Sequence, residues 1–276
     1  MERKRVLVVG LAAARSMRLA TVLAAILVVF AGPQFVAATQ ALQVDFGEVY
    51  AVSFTEPSGP SRLWRVHSTS DALVGTITSG SDQPTITDIA LRSDGQLFGV
   101  SFSTLYVIDK VTAMATPIGS GTGENGLNAL TFSSGGDLYS ATAGGARAGH
   151  LLGINPSTGV ATDIGTYGST LRSSGDLSFV GSTVYATVDK RFHLEEDDLL
   201  VRVDTGSGKA TRVSRNDLGF NRVYGLFTTE GQLFGLTYQL AACSPNGAFI
   251  RIDLSMGTAS FERCLSFNAY GAAAVP

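Results

Sequence analysis

One strand pattern occurs five times along the chain. Gly95-Gln-Leu-Phe-Gly-Val-Ser-Phe102 returns as Gly231-Gln-Leu-Phe-Gly-Leu-Thr-Tyr238. The same slot holds Gly47-Glu-Val-Tyr50, Gly136-Asp-Leu-Tyr139 and Gly181-Ser-Thr-Val-Tyr185. The aromatic anchors Tyr50, Phe98, Tyr139, Tyr185 and Phe234 lie 48, 41, 46 and 49 residues apart. A period of this length marks a repeat architecture, in which no unit can bury its apolar surface without its neighbours.

Each anchor is followed by a second motif: Leu63-Trp-Arg-Val-His67, Leu105-Tyr-Val-Ile-Asp109, Leu151-Leu-Gly-Ile-Asn155, Leu200-Val-Arg-Val-Asp204 and Phe249-Ile-Arg-Ile-Asp253. Apolar and polar residues alternate and end on a short polar group before a turn, as in a half-buried strand. A third strand follows, for example 160–164 or 209–213. Before every anchor but the first lies a short apolar strand: 88–91, 128–132, 176–179 and 224–227. No sustained helical periodicity follows residue 41. Four strands per repeat predict an all-β chain, a five-bladed β-propeller of four-stranded antiparallel blades. The first repeat lacks its inner strand. The C-terminal segment Phe267-Asn-Ala-Tyr270-Gly-Ala-Ala-Ala274 echoes Phe220-Asn-Arg-Val-Tyr224-Gly-Leu and is expected to supply it, closing the ring.

The repeats resemble those of exported bacterial β-propellers of the broad quinoprotein/YVTN-like class, with their Leu-Tyr-x-Ile-Asp-x-x-Thr-Gly-x-Ala-Thr pattern. The resemblance spans residues 44–275. It implies a propeller fold and leaves binding, scaffolding and enzymatic roles all open. The ending Ala272-Ala-Ala-Val-Pro276 is similar to the start of a PEP-CTERM sorting tail, without that tail's membrane stretch and basic end.

The N-terminus reads as a targeting segment. Glu2-Arg-Lys-Arg5 precedes a charge-free run from Leu19 to Ala31, and Gly32-Pro33 and Val36-Ala-Ala38 follow. A basic start, a short apolar core and small residues describe a secretory signal peptide. Residues 1–38 are therefore expected to be cleaved, leaving 39–276 as a single propeller domain in the periplasm or outside the cell. Met17 is an alternative start. A retained membrane anchor over 6–31 is the rival reading, but Arg15 and Arg18 would be costly in hydrocarbon.

Removing residues 1–38 leaves 15 basic and 22 acidic residues, a net charge of −7. No basic patch remains, which argues against nucleic acid or an anionic membrane surface as a partner. A small molecule, a glycan or a protein is the expected partner, and a monomer the expected state.

Four candidate features follow. Asp109, Asn155, Asp204 and Asp253 recur once per repeat, with His67 in the same slot; each precedes a tight turn, where its side chain is expected to cap backbone N–H groups. Asp88, Ala129, Asp176, Tyr224 and Tyr270 align at the start of the inner strands, with Asn128, Asn221 and Asn268 close by. Asp88, Asn128, Asp176, Asn221, Tyr224 and Tyr270 are thus the candidate ligand-binding residues at the channel mouth. Asp88 and Asp176 are candidate calcium ligands, since a hard cation collects oxygens; a hydrated channel is the alternative. The charged run Asp189-Lys-Arg-Phe-His193-Leu-Glu195-Glu196-Asp197-Asp198 reads as a solvated loop on the same face, the alternative being a site for a cation or a basic partner. Cys243 and Cys264 fall at one end of the fifth blade and are expected to form a disulfide in an oxidising compartment, the alternative being two buried thiols.

Gly121-Thr-Gly-Glu-Asn-Gly126 fits a dinucleotide-binding pattern in letters only, because it joins two strands rather than a strand and a helix. His67, His150 and His193 sit in different repeats without metal-ligand spacing. The expected function is a secreted binding or interaction module. The alternatives are a metal-dependent hydrolase or lactonase on a propeller frame and a structural envelope protein.

Overall fold

In the computed structural model, the described residues are 46–54, 59–190 and 196–276. The signal-peptide, start-codon and anchor readings, and His193, lie outside them. Blade 1 contains β1 (Val49–Phe54), β2 (Ser61–Val66) and β3 (Asp71–Thr76). Blade 2 contains β4 (Asp88–Leu91), β5 (Leu97–Val100), β6 (Leu105–Ile108) and β7 (Ala115–Ile118). Blade 3 contains β8 (Leu127–Phe132), β9 (Leu138–Thr142), β10 (His150–Ile154) and β11 (Ala161–Thr166). Blade 4 contains β12 (Leu171–Val180), β13 (Thr183–Lys190), β14 (Leu199–Val203) and β15 (Ala210–Arg212). Blade 5 contains β16 (Val223–Thr229), β17 (Gln232–Thr237), β18 (Ala248–Asp253) and β19 (Thr258–Cys264), and the chain ends on β20 (Gly271–Ala274).

These strands form five four-stranded antiparallel sheets. Four follow chain order from the axis outward, and the fifth is β20-β1-β2-β3. The expected closure is therefore present: Val49 faces Ala274 and Val52 faces Gly271. The alanines that resemble a sorting tail are the inner strand of blade 1. Strands β20, β4, β8, β12 and β16 contact one another in that order around the axis and back to β20. The molecule is a five-bladed β-propeller.

A glycine precedes the second strand of every blade, and in blades 2 to 5 it sets the hairpin from the inner strand. Gly47, Gly95, Gly136, Gly181 and Gly231 have φ of +67°, +83°, +91°, +60° and +76°. A side chain is strained in that region, which explains a glycine at the head of every repeat.

Each blade is covered on both faces by its neighbours, so the inner strands are buried over most of their length rather than alternating. All four residues of β4 and of β5 are buried, while the outer β7 turns Thr116 and Pro117 to solvent. The core accordingly divides into five clusters, one at each blade-to-blade seam. The seam joining the chain's ends is aromatic: Phe46, Phe227, Phe234 and Phe249 pack with ring centroids 5.1–6.1 Å apart. Arg263 on β19 adds a polar clamp across this seam. It reaches the Asp71 carboxylate at 2.6 and 3.0 Å and the carbonyls of His67, Ser68 and Ser70.

The turn residues behave as their spacing implies. Asp109 Oδ1 accepts from the backbone N–H of Val111 and Thr112, Asn155 from Ser157 and Thr158, Asp204 from Gly206 and Ser207, and Asp253 from Ser255 and Met256. Cys243 and Cys264 form a disulfide, with Cα atoms 5.3 Å apart. It fastens the loop after β17 to the end of β19.

Candidate functional site

The start of the inner strands differs by one residue from the repeat alignment read off the sequence. The narrow axial cavity is lined by the triplets 89–91, 130–132, 177–179, 226–228 and 272–274. The residues one step before these triplets are Asp88, Ala129, Asp176, Gly225 and Gly271. Tyr224 and Tyr270 therefore do not share a layer with the two aspartates. They stand one residue farther out, and in a strand a one-residue shift turns the side chain to the opposite face.

Asp88 and Asp176 are fully buried rather than exposed at the mouth. Inner strands present unpaired N–H groups to the axis, and the two carboxyls satisfy them. Asp88 accepts from Ile89 at 2.8 Å and, across the seam, from Leu130 of blade 3 at 2.5 Å. Asp176 accepts from Leu177 at 2.6 Å, from Leu226 of blade 5 at 2.5 Å and from Ala272 of blade 1. The two carboxyls also hydrogen bond to each other. One pair of side chains thus ties all five inner strands together. The small residues at the other three positions leave the room: a Cβ on Gly271 would overlap the Asp88 carboxyl.

Burial pushes both acids up, and the nearby Asp176 charge raises Asp88 further. The oxygens expected to face a cation are thus turned to backbone N–H groups and to a shared proton. Among the described residues no three His, Cys, Asp or Glu side chains converge in an arrangement that could hold a metal ion.

Beyond this pair the mouth opens into a cleft of about 540 Å³. It is lined by Ala143, Arg172, Ser173, Ser174, Asp189, Asp198, Arg222, Tyr224, Tyr238 and Tyr270. Two of the six residues expected to bind ligand, Tyr224 and Tyr270, are in its wall. Asn128 lies beside it, donating to the Ser173 carbonyl at 3.4 Å, and Asn221 is half-buried outside the lining.

The wall is aromatic. Tyr238 and Tyr270 meet edge to face at 5.2 Å, and Tyr224 lies 5.8 Å from Tyr270 and 6.1 Å from Tyr238. Phe54 stacks on Tyr270 and fixes its plane. The Arg222 guanidinium sits 5.8 Å from the Tyr238 ring centre. Burial and the Asp198 charge push Tyr224 up to about 12, so it remains a neutral phenol.

The polar side comes from blade 4. Arg172 and Asp189 face each other across β12 and β13 and pair through two bonds of 2.6 and 3.1 Å. Asp198, read from sequence as part of a solvated loop, is 2% exposed. It accepts from the Val223 N–H at 2.7 Å and the Ser174 hydroxyl at 2.9 Å. Burial pushes Asp198 up to about 8. Residues 191–195 of that loop lie outside the described residues. Ser173 is 1% exposed, and its hydroxyl has no hydrogen-bond partner among the described residues.

Sequence reading missed Arg172, Ser173, Ser174, Arg222 and Tyr238 as site residues, and held Asp189 and Asp198 only as parts of a charged loop on that face. A signal existed for Tyr238, which closes the Gly231 repeat motif. One also existed for Arg172 and Asp189, an opposite-charge pair in register once β12 is extended to ten residues.

No family model and no curated protein matches the chain. Solved structures do superpose. A symmetrical protein described for its de novo evolutionary emergence aligns at 17% identity and TM-score 0.48, over 81% of this chain and 94% of that one. A PQQ-bound aldose sugar dehydrogenase from Streptomyces coelicolor aligns at 17% identity and TM-score 0.42, over 62% and 61%. The extracellular domain of a putative hybrid two-component system from B. thetaiotaomicron aligns at 13% and 0.41, over 81% of this chain but only 30% of its own length. These likenesses are too distant to bear on function.

Proposed function

We propose that this chain is an exported, non-catalytic binding module whose ligand occupies the mouth cleft. The observation that carries this reading is the combination of a preformed cleft, three tyrosine rings and the buried, unpartnered hydroxyl of Ser173. Pockets that bind small ligands pair apolar walls with a few placed polar groups. A buried hydroxyl without a partner costs about 1–3 kcal/mol, which a ligand atom would recover. The disulfide supports export, since such bonds persist in oxidising compartments. The finer placement among exported quinoprotein/YVTN-like propellers, the monomeric state and cleavage of residues 1–38 belong to the same reading.

The test is a thermal-shift screen of a small-molecule library against wild type and Tyr238→Ala. Compounds that raise the melting point of wild type and not of the variant are the expected result. Calcium is one arm of the screen, because Asp88 and Asp176 are the candidate ligands of the hydrolase alternative. Saturable calcium binding that Asp176→Asn abolishes would favour that alternative.

A further inference from the structure

We infer that the ligand of the mouth cleft is a saccharide, with a neutral pyranose ring laid against the tyrosine wall and its hydroxyls directed to blade 4. The inference rests on the binding-module reading and names its ligand class. A pyranose has an apolar face of C–H groups and an equatorial belt of hydroxyls that both donate and accept. The cleft has the matching halves. Tyr224, Tyr238 and Tyr270 form a continuous aromatic wall, with centroids 5.2–6.1 Å apart. Rings held this way contribute apolar contact at little entropic cost, since Phe54 already fixes Tyr270.

In the same lining, the Arg172–Asp189 pair places a rigid guanidinium edge beside a carboxylate. Adjacent donors and acceptors of this kind suit vicinal hydroxyls, one accepting from the guanidinium and the next donating to the carboxylate. Ser173 Oγ, buried and unpartnered, adds a group that both donates and accepts.

Other ligand classes fit less well. An anion would have to draw Arg172 away from Asp189, which binds it through two bonds, or Arg222 off the Tyr238 ring, in a lining that also carries Asp198. A quaternary ammonium would seek the tyrosine faces, but the Arg222 guanidinium lies against Tyr238 and repels a second cation. A neutral ligand with one apolar face avoids both conflicts.

The experiment is saturation-transfer NMR on the full propeller with three probe sets at millimolar concentration. The first contains the methyl pyranosides of glucose, galactose, mannose, xylose and N-acetylglucosamine. The second is choline, and the third a mixture of free amino acids. Transfer to the ring protons of at least one glycoside is expected, with none to choline. Calorimetry should then give a dissociation constant that rises about tenfold in Tyr238→Ala. Arg172→Lys, which keeps charge but loses the two-bond fork, should weaken binding similarly. Each variant is first checked for an unchanged far-ultraviolet spectrum. If Tyr238→Ala does not fold, Tyr224→Phe and Arg172→Lys carry the comparison. Transfer to choline or amino acids but to no glycoside would overturn the saccharide while leaving a binding module. Silence from all three sets would overturn both readings. Glycoside binding unchanged in Tyr238→Ala and Arg172→Lys would overturn the site.

Discussion

The two ends of the axis are built by the same five strands from opposite chemistry. Where the inner strands finish, the lining is Leu91, Phe132, Phe179, Ala274 and their neighbours, and the cavity is about 20 Å³, room for about one water. Where they start, the cleft is far larger and carries two arginines, two aspartates and three tyrosines. Between the ends stands the Asp88–Asp176 pair. The contrast shows how a propeller separates its tasks. Positions inside the strands must close the ring and are confined to what packs there. Positions at the start of β12 and β16, where the pairing shifts register, are free to carry chemistry. The aspartates belong to the first group although their residue type suggests the second.

The largest expected effect is on both ends together. Deleting residues 268–276 removes β20, which supplies one strand of the narrow end, pairs with β1 and carries Tyr270 into the cleft. It also takes away the Ala272 N–H that Asp176 accepts. An open ring with unpaired edges is expected to be insoluble. A soluble, monomeric truncation with the wild-type melting point would show that neither end depends on closure.

Next in size is the pair between the ends. Asp176→Ala orphans the backbone N–H groups of Leu177, Leu226 and Ala272 and leaves the Asp88 carboxyl without its carboxyl partner. A loss of ~4 kcal/mol is expected, from about 1–3 kcal/mol for each buried group left unpaired. Urea unfolding measures it. A loss below about 1 kcal/mol would mean that the axis is held by packing alone.

The disulfide bears on the mouth side only, because it ties down the loop that follows Tyr238. Its sequence separation is 21 residues, and loop-closure entropy of that size corresponds to about 3 kcal/mol. Cys243→Ser with Cys264→Ser is expected to lower stability by about that amount and to weaken ligand binding. Alkylation and mass spectrometry of the exported wild type should find no free thiol. Two reactive thiols would remove the argument for an oxidising compartment.

How much of this was legible in the sequence follows from the same division. Strand count, ring closure, turn aspartates and the disulfide all depend on local pattern or on repeat order, and each was readable. Of the cleft, only Tyr224 and Tyr270 were readable, because most of the other lining residues come from positions where the repeats differ. Asp198 sits in a run of charges whose composition looks solvated, and only the approach of Ser174 and Val223 makes it buried. Asp88 and Asp176 were readable as a pair but not as a plug. Their role depends on a one-residue register, and on the glycines at 225 and 271, which an alignment on tyrosines obscures.

The pH dependence separates the buried acids from the exposed ones. Asp198 is pushed from 3.8 to about 8, and Asp88 and Asp176 are raised by burial as well. In the unfolded chain these acids ionise near pH 4 while the folded protein still holds their protons. Their stabilising contribution is therefore full below about pH 4 and is lost as pH rises towards 8. Asp109, Asp204 and Asp253 are lowered by their turn N–H groups, so their contribution is lost only as pH falls below the usual carboxylate range. A melting point that is highest in mildly acidic buffer and falls towards pH 8 is expected, and Asp198→Asn should flatten the fall. A melting point that climbs steadily from pH 5 to pH 8 would contradict the protonated axis.

The smallest expected effect is at the rim, where neither end is touched. Asn155 caps the turn after β10 through Ser157 and Thr158, at 2.9 and 3.0 Å, in full contact with solvent. Water replaces an exposed acceptor almost as well as the side chain does, so the loss in Asn155→Ala is a net hydrogen bond, about 0.5–1 kcal/mol. At roughly 2–4 °C per kcal/mol for a domain of this size, the melting point should fall by only a few degrees. Ligand binding should not change, because the turn lies at the outer end of a blade and contributes nothing to the cleft. A small loss here beside a large one in Asp176→Ala would show that the same kind of bond, a side-chain oxygen accepting from backbone N–H groups, is worth several times more at the axis than at the rim. Equal losses would mean that burial does not set the value of these bonds, and the distinction between an axial plug and ordinary turn caps would fail.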